Sequence, residues 1–151
     1  MPRRRNQRNS RVAEGKEQMT MTPLFCLAAA IFFEARDQPH DAQRAVANVV
    51  MNRVESPRWP DTVCDVVFQH KQFSFTHDGL SDDYTKHTGN IFDRQAIDIA
   101  ETIAESTLKG DRLGVTSTHF HATYVTPFWA SVYPLDGRLG DHLFFTAPAG
   151  L

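Results

Sequence analysis

A chain of 151 residues, 41% of them apolar, is long enough to bury one real hydrophobic core and too short for two. Its charge is uneven: residues 1–18 carry six bases against two acids, and the rest of the chain carries ten against sixteen. An acidic folded part argues against a nucleic-acid surface. Residues 1–20, basic and without apolar periodicity, read as a disordered arm ahead of one domain over 21–151.

The first helix is predicted to start at Pro23, with Thr22 as its cap. It is the most apolar run of the chain and ends in Glu34-Ala35-Arg36, with Leu27, Ala30 and Ile31 on the same face as Glu34. A carboxylate on an apolar face is poorly solvated, and the negative end of the helix dipole opposes it further, so its pKa should rise. A Glu that keeps its proton near neutrality suits a general acid. The alternative is a structural Glu, paired with an Arg or capped by backbone donors. A basic arm before an apolar run mimics a signal peptide, but this run has no small-x-small cleavage pattern. At roughly ten to thirteen residues it is also too short to span a bilayer. The expectation is therefore no signal peptide and no stable membrane insertion: a protein made in the cytoplasm that reaches its place of action by release or by another export route. Cys26 and Cys64, in apolar contexts without CxxC spacing, read as buried thiols, neither a disulfide framework nor a metal knuckle.

A second helix is predicted from Asp41, as N-cap, to Glu55, with Ala42, Ala45, Val46, Val49, Val50 and Val54 on its apolar stripe. A short third, capped by Asp61 or Thr62, covers Val63 to Gln69. Residues 70–91 read as a long polar loop, the kind that is usually functional or mobile. A fourth helix runs from about Asp93 to Lys109 and stops at Gly110. Val115 to His121 has strand composition, and Leu143-Phe144-Phe145 is a last apolar piece. The fold class is α+β, mostly helical with a short late β-sheet.

Three groups of side chains carry chemistry. Glu34 with Arg36 is the first. Gln72-Phe73-Ser74-Phe75 is the second: amides suit sugar hydroxyl and acetamido groups, and rings cover pyranose faces, although the same rings could simply anchor the loop. The third is His119, His121, Tyr124, Trp129 and His142. His119 and His121 alternate onto one strand face and could hold zinc with His142 or a carboxylate, but no HExxH or similar signature accompanies them. As neutral hydrogen-bonding groups they fit the lining of a glycan groove better.

Phe33-Glu34-Ala35-Arg36, Ala45 to Val54, Ser56 to Cys64, Gln72-Phe73-Ser74, Ser117 to His121, Pro127 to Ala130 and Gly140 to Phe144 occur in one order. Together they closely resemble the catalytic domain of the SleB-type cell-wall hydrolases, the spore cortex-lytic enzymes. The likeness runs from about residue 24 to 145. It implies a small lysozyme-like fold, lytic transglycosylation of peptidoglycan with Glu34 as acid/base, and a glycan groove lined or supported by Gln72, Phe73, Ser74, His119 and Trp129. Phe75, His121, Tyr124 and His142 join that groove by residue type. Members often read Glu-Ala-Arg-Gly-Glu-Pro where this chain has Asp37-Gln38-Pro39 after Arg36, which removes a possible water-activating base; Phe75 and Phe120 stand for Trp and Tyr. Hydrolysis ordinarily needs a second carboxylate. Attack by the muramic 6-hydroxyl on C1 does not, so one Glu suffices for a 1,6-anhydro product. The implied protein is a monomer acting on peptidoglycan strands, without cofactor or nucleic acid, in the setting of a phage endolysin or a wall-remodelling enzyme. The rivals are a zinc-dependent N-acetylmuramoyl-L-alanine amidase on His119, His121 and His142, and a non-catalytic glycan-binding protein.

Overall fold

A computed structural model describes residues 21–69 and 83–149. Helices α1 (Pro23–Ala35), α2 (His40–Val54), α3 (Val63–Val67) and α4 (Ile91–Leu108) precede strands β1 (His119–Ala122), β2 (Leu135–Leu139) and β3 (His142–Phe145). Single 3-10 turns stand at Tyr84–Lys86 and Phe128–Ser131. Half-helical with a small antiparallel sheet late in the chain, this is the expected α+β class.

The centre of the molecule is α1. Thr22 Oγ1 accepts from the Phe25 amide at 3.1 Å and Pro23 occupies the first turn, as expected. Every residue from Cys26 to Phe32 is fully buried, so this helix has no solvent face, and α2, α3 and α4 pack around it. Ala28, Ala29 and Ala30 keep its girth small where those neighbours approach. The other helices begin slightly differently from their expected starts. Pro39, not Asp41, precedes α2, two residues ahead of the expected cap and without a side-chain cap hydrogen bond; Asp41 lies in the first turn, near the positive end of the helix dipole. Thr62 caps α3, which is shorter than expected, and Asn90 caps α4 two residues ahead of the expected start. Gly110, at φ +111°, ends α4 as its position suggests.

One expectation is overturned. Cys26 of α1 and Cys64 of α3 are joined in a disulfide, with 5.2 Å between their Cα atoms. Nothing in the local spacing of two cysteines 38 residues apart signals their meeting, which the packing of α3 on α1 alone brings about.

The polar face of α2 holds the chain on its way into the sheet. Asn48 Oδ1 accepts from the Leu113 amide at 2.9 Å, Asn52 Nδ2 donates to the Val115 and Ser117 carbonyls, and Arg53 Nε donates to the Thr118 carbonyl at 2.7 Å. The sheet order is β1-β3-β2, antiparallel throughout. His119 pairs with Phe145 and Ala122 with His142, so Phe120, His142 and Phe144 share the inner face, while His119, His121 and Phe145 share the outer one. The inner face packs on α2 through Val46 and Val49. The register of β2 breaks between Leu135 and Gly137. Asp136, at that irregularity, accepts from the Ser117 and Thr146 hydroxyls, each at 2.6 Å, and so ties β2 to the residues just before β1 and just after β3.

Candidate active site

Glu34 lies in the last turn of α1, half-buried, with its Oε1 withdrawn from solvent. Its placement follows from α1: a helix buried all round fixes where its own C-terminus ends. Behind it, the buried His142 of β3 hydrogen-bonds through its imidazole to the Glu34 backbone carbonyl. Burial lowers the His142 pKa, and that hydrogen bond and Asp141 resist the shift. A neutral ring thus buttresses the turn. Arg36 reaches Asp93 at 3.7 Å and lies 4.7 Å over the Phe32 ring. His87 closes on the same turn, its ring 5.3 Å from both Phe32 and Phe33.

The turn between α1 and α2 is clasped by the β2–β3 turn. Gln38 Oε1 accepts from the Asp141 amide at 2.7 Å and Gln38 Nε2 donates to Asp141 Oδ2 at 3.4 Å. Gly140, at φ +56°, meets this turn so closely that a Cβ would stand 2.7 Å from Pro39 Cδ. The position at which family members often carry Glu is therefore a bridging amide here.

The remaining expected groove residues fall elsewhere. His119, His121 and Trp129 form an aromatic cluster on the outer face of the sheet, with Trp129 4.9 Å from His119 and 5.7 Å from His121. His121 stacks on Phe145 at 5.2 Å. Trp59, Tyr133 and Arg53, which the sequence reading did not select, complete the surroundings of His119. Tyr124 is 86% exposed on the segment that follows β1. Gln72, Phe73, Ser74 and Phe75 lie outside the described residues, as does the basic arm. His142, on the inner face and only 4% exposed, supports Glu34 from behind and does not line an open groove.

The sheet thus divides the candidate residues into an inner group at Glu34 and an outer aromatic group. It also separates the three histidines of the zinc alternative: His142 points away from the face that carries His119 and His121. No cluster of three or more potential metal ligands occurs among the described residues. Nor is any helix among them long and apolar enough to cross a membrane.

Residues 37–145 match the family model of the cell wall hydrolases; Glu34 stands just ahead of the matched span. Spore cortex-lytic enzymes of Halalkalibacterium halodurans, Oceanobacillus iheyensis and Bacillus subtilis are 32%, 29% and 28% identical to this chain over 118 residues. That alignment covers 78% of this chain but only 33%, 39% and 35% of those proteins, so the chain spans little more than a third of the length of the curated relatives it matches. Among solved structures, the catalytic domain of the germination-specific lytic transglycosylase SleB from Bacillus anthracis matches with a TM-score of 0.67 at 25% identity, over 87% of this chain and 99% of that one. The SleB catalytic domain from Bacillus cereus matches with a TM-score of 0.61 at 26% identity, over 87% and 94%. With a family match across most of its length and the fold of those catalytic domains, the chain belongs to the cell wall hydrolase family, in its SleB-like branch.

Proposed function

We propose that the protein cleaves the β-1,4 bond between N-acetylmuramic acid and N-acetylglucosamine by lytic transglycosylation, with Glu34 as its acid/base. The observation that carries this reading is the setting of Glu34: a half-buried carboxyl at the end of the central helix, one oxygen out of water and the neutral His142 behind it. A general acid must bring its proton to the leaving oxygen, and a helix packed along its length fixes where this carboxyl stands. Glu34 donates that proton to the glycosidic oxygen as positive charge develops at the muramic C1. The muramic 6-hydroxyl then attacks C1 and returns a proton to the ionised Glu34. The product is a 1,6-anhydromuramic end, and no second carboxylate is required. Gln38, in place of a carboxylate four residues on, supports this route over hydrolysis, because an amide cannot activate water.

Mass spectrometry of the soluble products from purified peptidoglycan, run with the native chain and Glu34→Gln side by side, tests this. Anhydro-muropeptides should appear with the native chain and fall at least a hundredfold in the variant, which keeps shape but cannot titrate. Full activity in Glu34→Gln sinks the assignment, and reducing muramic ends mean hydrolysis. Free stem peptides would point to the amidase, which the opposite facing of His142 and His119 disfavours. A glycan-binding protein without activity would release nothing from either form.

The same reading places the protein at the cell wall, outside the cytoplasm, in the role of a phage endolysin or a wall-remodelling enzyme. The Cys26–Cys64 disulfide supports that location, since such bonds persist in oxidising surroundings.

A further inference from the structure

A cavity of about 210 Å³ lies between α2 and the inner face of β2. Its walls are apolar: Ala45 of α2, Val115, Leu139 and Phe144. Gly137 is its origin. That residue pairs with Phe144 and so takes an inward position on β2, yet brings no side chain to it. A Cβ placed there would meet nothing within 4 Å, and across the gap α2 presents the short Ala45. The apolar cluster that Ala45, Leu139 and Phe144 share also contains Ala35, the residue after Glu34. The cavity and Glu34 are therefore on the same side of the sheet.

At the edge of this cavity stands the exposed Asp136. Its Oδ2 takes both hydroxyls, from Ser117 and Thr146, which holds the carboxylate in place before any ligand arrives. Its Oδ1 makes no hydrogen bond, and no cation pairs with it, among the described residues. Arg138, which also borders the cavity, stands opposite Leu143 on the other face of the strand. Its Nε donates to the Gly140 carbonyl at 2.8 Å, and its Nη2 lies 3.5 Å from Asp141 Oδ1. A fixed carboxylate with an open oxygen, set beside an apolar hollow, suits a cation carried on a hydrocarbon chain. An anion would meet a like charge there, and a neutral alcohol would forgo the charge-assisted bond. An apolar cavity of about 150 Å³ takes a benzene ring, so this one has room for an alkyl chain of about five carbons.

We propose that this cavity binds a primary alkylammonium group, its nitrogen on Asp136 Oδ1 and its chain laid over Gly137 between Ala45 and Phe144. Such a group has two sources: a free alkylamine, or the side chain of a diamino acid in a peptide, as the stem peptides of peptidoglycan carry. The site is separate from the cleavage reaction, and its occupancy is measured by binding alone.

Titrations of the native chain at neutral pH, followed by the Ala45 methyl resonance, test this with four probes: n-pentylamine, n-pentanol, pentanoate and the peptide L-alanyl-γ-D-glutamyl-L-lysine. Pentylamine should shift the resonance and bind about tenfold more tightly than pentanol, and pentanoate should not bind. Asp136→Asn keeps an oxygen for the two hydroxyls and should weaken pentylamine about tenfold, to the level of the alcohol. Gly137→Val fills the hollow from a strand position whose φ a side chain tolerates, so it should abolish binding with Tm unchanged or raised. It leaves Asp136 intact and decides the matter should Asp136→Asn fail to fold. Binding of the peptide as well as pentylamine identifies a diamino acid as the source, and binding of pentylamine alone identifies a free amine; either supports the site. The site is overturned if pentanol binds as tightly as pentylamine, if neither amine binds, or if either variant binds pentylamine unchanged. None of these outcomes bears on the release of anhydro-muropeptides, so the site and the proposed reaction fail or stand separately.

Discussion

His119 shows how one side chain can be tuned by its surroundings. Its ring is enclosed by Trp59, Trp129 and Tyr133, its Nδ1 lies 2.9 Å from Thr118 Oγ1, and Arg53 and Arg58 face it. Unfolded, a histidine protonates near 6.5; here the folded value is about 4. Between those values the unfolded state binds more protons, so stability is complete above about pH 6.5 and is lost as pH falls toward 4. Thermal melts of the native chain and His119→Gln from pH 7.5 to 4 isolate this group from the carboxylates that titrate in the same range. The native chain should be the more acid-sensitive of the two, the gap in Tm between them narrowing with each step down; parallel curves would mean that His119 does not titrate as described. Glu34 is readable in the sequence because both its causes, the apolar face and the helix end, lie within ten residues of it. Arg58 is not, because the carbonyls that hold it belong to residues 89 and 90 positions later.

Among the elements, the contact between the α1–α2 turn and the β2–β3 turn joins the helical part to the sheet beside Glu34. Gln38 satisfies an amide and a carboxylate of Asp141 at once, accepting with its oxygen and donating with its nitrogen. Gln38→Glu retains the acceptor and sets a second carboxylate against Asp141, at a cost of roughly 0.5–1 kcal/mol for this exposed pair. Adding Asp141→Asn should recover most of that loss, and urea unfolding of the two single variants and the double variant measures the coupling. Additive effects would show that the two side chains do not interact. The helices follow from their apolar periodicity, which a sequence displays directly, so all four among the described residues are legible, and their starts shift by no more than two residues. β2 is illegible for a physical reason. Leu135-Asp136-Gly137-Arg138-Leu139 contains residues that disfavour strands, and its pairing depends on the Asp136 bonds to Ser117 and Thr146. For the same reason the expected strand over 115–121 becomes regular only at His119. The residues before it are held by Asn52 and Arg53 instead of by a strand partner alone.

Across the whole molecule, the disulfide closes a loop of 38 residues between the central helix and α3. Its removal in the paired Cys26→Ala, Cys64→Ala variant frees that loop in the unfolded chain and should cost about 4 kcal/mol. For a chain of this size that is roughly a 10 °C fall in Tm. Calorimetry with and without a strong reductant checks it: the native chain under reduction should approach the variant, and an unchanged Tm would show that the bond contributes nothing. The distribution of burial has another consequence. Glu34 is carried by a helix whose neighbours fill every side, so few substitutions along it are neutral, whereas Tyr124, Phe128 and Val132 stand 86%, 87% and 63% exposed on the segment beyond β1. The proposed acid/base is thus tied to the residues that keep the protein folded, whereas the outward segment beyond β1 is free of that constraint.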